Sequence, residues 1–134
     1  HRAAGPRLLE ECRKLIGCPT GEARITTGGN LPARFVIHTV GPIWRGTGNR
    51  EDQQLRDCYL NSMKLAEQNE VRTIAFPSIS TGAYGFPIER ASKIAVTTIR
   101  ECLDRLSQVR TVFFVCFSQS DYDTYQEALK GEGE

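Results

Sequence analysis

The sequence predicts an α/β fold with a largely parallel sheet and helices on both faces. Three observations lead there. In the second half, short β-branched or aromatic runs alternate with amphipathic stretches of helical length, the rhythm of successive β–α–β units. The run Thr111–Phe117 (TVFFVCF) is apolar without interruption, the pattern of a strand buried on both faces. Finally, 134 residues with 40% hydrophobic and 25% charged side chains suit one soluble domain with a real core.

The elements follow in order. Gly5-Pro6 opens a helix, since proline in the first turn forfeits only an N–H that has no partner there. Leu8, Leu9, Cys12, Leu15 and Ile16 recur with helical period up to Gly17 and Pro19. Glu22–Thr27 and Arg34–Val40 are strands separated by Gly28-Gly29-Asn30 and Pro32, a connector too short for a parallel crossover, so this pair is antiparallel. Residues 41–50 form a loop, and Glu51–Gln68 a helix whose acidic start suits the positive end of its dipole. Its apolar stripe is Leu55, Cys58, Tyr59, Leu65 and Ala66, with Met63 to one side. Thr73–Pro77 is a strand, Ser78–Phe86 a loop, and Pro87–Leu106 a helix with Ile88, Ala91, Ala95, Cys102 and Leu106 on its inner face and Ile94, Thr98 and Ile99 beside it. After Thr111–Phe117, Ser120 and Asp123 form an acidic capping box for a last helix. One domain is expected over residues 1–130, with a frayed tail over 131–134. Met63 is the only methionine and His1 opens directly into patterned sequence, so residues upstream of position 1 are expected.

Charge and cysteine usage exclude several classes. Seventeen Lys+Arg against 16 Asp+Glu, a net charge of +1, provide no basic field for nucleic acid. No run of ~18 apolar residues reads as a membrane span. The five cysteines (Cys12, Cys18, Cys58, Cys102, Cys116) are odd in number and lack C-x-x-C spacing, against a disulfide framework or zinc site and in favour of a reducing, cytoplasmic setting.

The informative segment is AFPSISTGAYGFPIE, Ala75–Glu89, which leaves the carboxyl end of a strand and enters a helix. Ligands of open α/β sheets sit at such ends. Gly82 and Gly85 permit close backbone approach, so consecutive N–H groups can converge on an anion, and the helix N-terminus adds a favourable dipole. Ser80 and Thr81 supply hydroxyls, and Tyr84 or Phe86 could cover a ring or ribose. No lysine follows the second glycine, and G-x-G-x-x-G is absent, so neither the P-loop nor the dinucleotide fingerprint is met. On these features alone, a phosphate cradle and a ligand-free Gly-rich turn remain equally open.

Together, HRAAGP (1–6), LPARFVIHTVGP (31–42) and FPSISTGAYGFP (76–87) resemble the MacroD-type macrodomains, over nearly the whole chain. The resemblance implies a three-layer α/β/α fold with a mixed, largely parallel sheet whose first strands precede this chain. It implies binding of ADP-ribose and, in the intact domain, hydrolysis of ADP-ribosyl esters: mono-ADP-ribosyl glutamate or aspartate, or O-acetyl-ADP-ribose, the chemistry of the Appr-1''-p processing family. The ligand-binding set it implies is Ile79, Ser80, Thr81, Gly82, Ala83, Tyr84, Gly85 and Phe86, with Ser80 to Gly85 around the diphosphate and distal ribose, and Phe117 beside the nucleoside. The family's catalytic aspartate falls upstream of His1, so no catalytic residue is assigned within the chain. No metal or cofactor is implied, and a cytoplasmic monomer is expected. Two alternatives stand beside the hydrolase: a non-catalytic ADP-ribose reader, and an RNA-binding or structural domain. His38, in an apolar alternation, reads as a hydrogen-bonded core histidine; Trp44 as a packing or rim residue; Glu89 as a helix-dipole partner.

Overall fold

The computed structural model describes residues 17–133, so the helix expected from Gly5-Pro6 lies outside the described residues. Strands β1 (Ala23–Thr27) and β2 (Phe35–Thr39) pair antiparallel, with Ala23 opposite Thr39 and Thr27 opposite Phe35. The turn between them closes with the Gly28 N–H donating to the Arg34 carbonyl at 2.9 Å. After helix α1 (Asn49–Gln68), strand β3 (Thr73–Pro77) pairs in parallel with β4 (Thr111–Val115), with helix α2 (Ile88–Arg105) as the crossover. Helix α3 (Gln119–Gly133) completes the described chain, continuing through residues expected to fray. The two ladders are separate among the described residues.

The core forms where α1, α2 and α3 meet one face of the β3–β4 ladder. Tyr59 of α1 lies 5.1 Å from Phe76 and 6.5 Å from Phe114, and Phe114 lies 5.2 Å from Tyr125 of α3. Such ring pairs contribute about 0.5–1.5 kcal/mol each beyond their buried area, and these bind four elements into one unit. On α1 the stripe runs through Leu55, Cys58, Tyr59, Met63 and Ala66. Met63 is fully buried and Leu65 is not, the reverse of the expected order, because the face is set by the neighbouring helix α2. Burial on α2 also extends to Ser92, Val96, Thr98 and Ile99.

Strand β4 is two residues shorter than the sequence reading made it. It ends at Val115, and Phe113 and Val115 are more than half exposed while Val112 and Phe114 face the core. All three helices pack on the latter side, and no described residue covers the other. The start of α3 also differs. Its cap is Ser118, whose Oγ accepts from the Asp121 N–H at 3.1 Å, so the capping pair lies two residues earlier than Ser120 and Asp123. Glu51, at the acidic start of α1, is buried at 4% exposure. Its carboxylate accepts the Thr47 hydroxyl and the N–H groups of Arg45, Thr47 and Gly48. Those bonds, the Thr47 hydroxyl first, hold its pKa below the usual range against the opposing effect of desolvation.

A second carboxylate clasps the connector that leads into β4. Glu67 accepts from the Ser107, Gln108 and Val109 N–H groups at 2.9, 2.8 and 3.2 Å and from the Ser107 hydroxyl. Desolvation opposes ionisation there, yet these donors outweigh it and the pKa is lowered. A carboxylate with a depressed folded pKa stabilises the fold above its unfolded value, about pH 4, and that contribution is lost as pH falls through the folded value. Glu67→Ala is therefore expected to lower the melting temperature by several degrees at pH 7, with the gap from wild type narrowing below about pH 4. A constant gap from pH 7 to pH 3 in thermal melts would remove this role for the carboxylate.

Candidate functional site

The chain leaves β3 at Pro77 and enters α2 at Ile88, and the ten residues between carry no charged side chain. The loop is held from beneath by hydroxyls. Thr81 Oγ1 lies 2.8 Å from Ser78 Oγ and 3.1 Å from the Ser78 carbonyl. Ser78 Oγ also accepts from the hydroxyl of Tyr125, a buried residue of α3, at 3.2 Å. Burial pushes the Tyr59 and Tyr125 hydroxyls above their ordinary range, so both stay protonated and able to donate.

Ser80 takes a left-handed backbone, φ +67°, and its carbonyl accepts the Phe86 N–H at 2.9 Å, folding the loop back on itself. Gly41, at the end of the segment after β2, lies directly against Ser80. A Cβ at Gly41 would collide with Ser80 Oγ and come within 2.6 Å of Ile79 Cγ2, so only glycine allows these two segments to meet. A tight turn follows, closed by the Gly85 N–H donating to the Gly82 carbonyl at 3.0 Å. Within it, the N–H groups of Gly82, Ala83 and Tyr84 make no hydrogen bond among the described residues. Three consecutive exposed residues with unbonded N–H groups thus precede the start of α2 at Ile88 by a few positions.

Ile79, Ser80 and Thr81 are half-buried, whereas Gly82, Ala83, Tyr84 and Gly85 are exposed along the loop's outer side. Phe86 departs from the role suggested for its ring. It is 2% exposed and packs 4.7 Å from Trp44, so it anchors the loop while Tyr84 remains at the surface. Phe117 is 84% exposed, just past the carboxyl end of β4. Since Pro77 pairs with Val115, Phe117 and the loop emerge from the same end of the parallel ladder. His38 is half-buried, its Nε2 2.9 Å from Thr26 Oγ1. Glu89 and Asp121 occupy the first turns of α2 and α3. Among the described residues, no group of three or more His, Cys, Asp or Glu side chains is placed to hold a metal.

A family model described as the macro domain matches residues 1–95. The chain belongs to the macrodomain family. A macro domain-containing protein of Chlorobaculum tepidum is 60% identical over 96% of this chain and 75% of its own length. A protein of Escherichia fergusonii named O-acetyl-ADP-ribose deacetylase is 51% identical, with 100% of this chain and 78% of the relative aligned. In three dimensions, a variant of the Oceanobacillus iheyensis macrodomain solved with ADPR superposes with a TM-score of 0.92 at 45% identity, covering 98% of this chain and 74% of that one. This chain thus has the α/β macrodomain fold expected from its sequence.

The sequence reading of this macrodomain missed the supports of its loop. Ser78 and Tyr125 meet only through the tertiary fold, and Gly41 acquires meaning only once it faces Ser80. Trp44 was legible as a packing residue, but its N–H bond to the Tyr84 carbonyl, 2.8 Å long, had no local signal.

Proposed function

We propose that this macrodomain binds ADP-ribose and, with the aspartate-bearing loop that its family resemblance places upstream of His1, hydrolyses ADP-ribosyl esters. The three free N–H donors of Gly82, Ala83 and Tyr84 carry this reading. A diphosphate set on them gains charge-assisted hydrogen bonds and the dipole of α2 without needing a cation. Ser80 and Thr81 border the same turn, and Phe117 offers an apolar face at the same end of the ladder for the adenosine. Support comes from the deacetylase name of the Escherichia fergusonii relative and from the ADPR in the Oceanobacillus iheyensis structure. Substrates of this class are O-acetyl-ADP-ribose and glutamate- or aspartate-linked ADP-ribose, and Appr-1''-p processing belongs with the same proposal. A cytoplasmic setting is also proposed, in keeping with the free thiols of Cys18, Cys58, Cys102 and Cys116.

In this mechanism the chain positions and stabilises. Fixing the diphosphate fixes the ribose linked to it, so an attacking water meets the ester in one geometry. The donors were oriented before the ligand arrives, so little reorganisation is needed as charge develops.

Titration calorimetry with ADP-ribose tests the assignment, and Phe117→Ala sharpens it. Because Phe117 is 84% exposed, its removal should hardly move the melting temperature. The variant is expected to weaken ADP-ribose by about fivefold to tenfold, the scale of one lost aromatic contact of ~1–1.4 kcal/mol. Ribose 5-phosphate, which lacks the adenosine, should bind unchanged. Equal losses for both ligands would take the nucleoside away from Phe117.

A further inference from the structure

We infer that Arg90, fixed by Asp52, is a positioning residue for the ligand loop and acts on it through Trp44. This inference rests on the ADP-ribose reading above and assigns part of its control to residues outside the cradle.

The connection is continuous. Arg90, in the first turns of α2, places its guanidinium 5.4 Å from the centroid of the Trp44 ring. The same ring also packs on Phe86, with centroids 4.7 Å apart at 51°. Trp44 is therefore held by two contacts, a cation and the buried phenyl that anchors the loop. From this position its backbone N–H donates to the Tyr84 carbonyl at 2.8 Å. The Tyr84 carbonyl shares its peptide plane with the Gly85 N–H, which closes the turn on the Gly82 carbonyl at 3.0 Å, so the Trp44 bond holds the closing peptide of the turn that carries the three donors. Arg90 itself is not left to wander. Its Nε and Nη2 reach the two carboxylate oxygens of Asp52 on α1 at 2.7 and 2.5 Å, a bidentate fork that fixes the plane of the guanidinium. Lysine cannot reproduce either the fork or the planar stack.

The pair is well suited to a role other than holding the fold together. Arg90 and Asp52 side chains are 46% and 30% exposed, and an ion pair at that exposure adds little to stability. A second pair bridges the same two helices: Arg56 lies 2.6 Å from Glu101. That pair touches neither Trp44 nor the loop among the described residues. It serves as an internal comparison for bridging α1 and α2 as such.

Trp44 is the only tryptophan in the chain, so its fluorescence reports on these contacts directly. The experiment titrates ADP-ribose into wild type, Arg90→Ala, Arg90→Lys and Arg56→Ala, with acrylamide quenching of Trp44 measured in each. Both Arg90 variants should lose about fivefold to tenfold in affinity, a small misplacement of donors rather than their removal. Quenching should rise in both, and melting temperatures should stay close to wild type. Arg56→Ala should match wild type in affinity and quenching. Wild-type affinity in Arg90→Ala, full rescue by lysine, or an equal loss in Arg56→Ala would each overturn the inference while leaving the ADP-ribose reading in place. Failure of the wild-type protein itself to bind ADP-ribose would overturn both.

Discussion

Replacing Gly82 with glutamate should lower the affinity for ADP-ribose at least about tenfold, or ~1.4 kcal/mol, and leave the melting temperature nearly unchanged. The two halves of that expectation have separate physical causes. Gly82 is exposed, its φ lies outside the left-handed region, and a Cβ built there meets nothing within 4 Å. A side chain is therefore accepted without strain or collision. Its carboxylate, however, falls beside the free N–H groups of Gly82, Ala83 and Tyr84, where it repels a diphosphate and competes for its donors. Gly85 would make a poorer test: its φ of +73° strains any side chain, and lost binding could follow from a distorted turn. Calorimetry and a thermal melt on the same Gly82→Glu sample separate affinity from folding. Unchanged affinity would place the diphosphate elsewhere.

The second large effect concerns turnover. A polypeptide of residues 1–134 is expected to release ADP-ribose from a glutamate-linked ester no faster than buffer. Joining to it an upstream segment of the macrodomain type, with strand, Gly-rich loop and aspartate, should restore release. The cradle offers hydrogen-bond donors, but between Ser78 and Pro87 there is no carboxylate, imidazole or thiol. Positioned donors stabilise developing charge; they do not take a proton from water. A general base typically contributes about 10²–10⁴-fold, which separates slow background from visible turnover. His38 is engaged with Thr26, and Glu89 occupies the first turn of α2. Release is followed over time at equal folded concentrations, with folding checked by circular dichroism. Robust turnover by residues 1–134 alone would move the acid–base role to Glu89 or His38.

Local patterning was enough to place most elements and the loop. Thr73–Pro77 was legible to the residue because β-branched and aromatic side chains end at a Gly- and Ser-rich stretch. The antiparallel pairing of β1 with β2 followed from a connector too short for a crossover. What escaped depended on residues distant in sequence. An unbroken apolar run such as TVFFVCF carries no mark of which face receives which helix, and among the described residues the helices lie on the Val112 and Phe114 side. Phe86, in a Gly-rich loop, looked available to a ligand until Trp44 was seen packed on it. The Ser118 cap escaped because Ser118 and Ser120 stand two apart with an aspartate three residues after each, so the motif alone fits both.

Because β3 and β4 run parallel, no tight turn can bring them together; α2 must first be laid down between them. Pairings of that kind close late, since the chain entropy of closing the loop is lost before the contacts repay it. By contrast, β1 and β2 can zip locally through their short connector. The glycine-rich loop follows β3 and Phe117 follows β4, so both reach their shared end of the ladder only when the slower pairing closes. If ADP-ribose is held at that end as proposed, its binding is linked to closure of this ladder and stabilises the closed form by mass action.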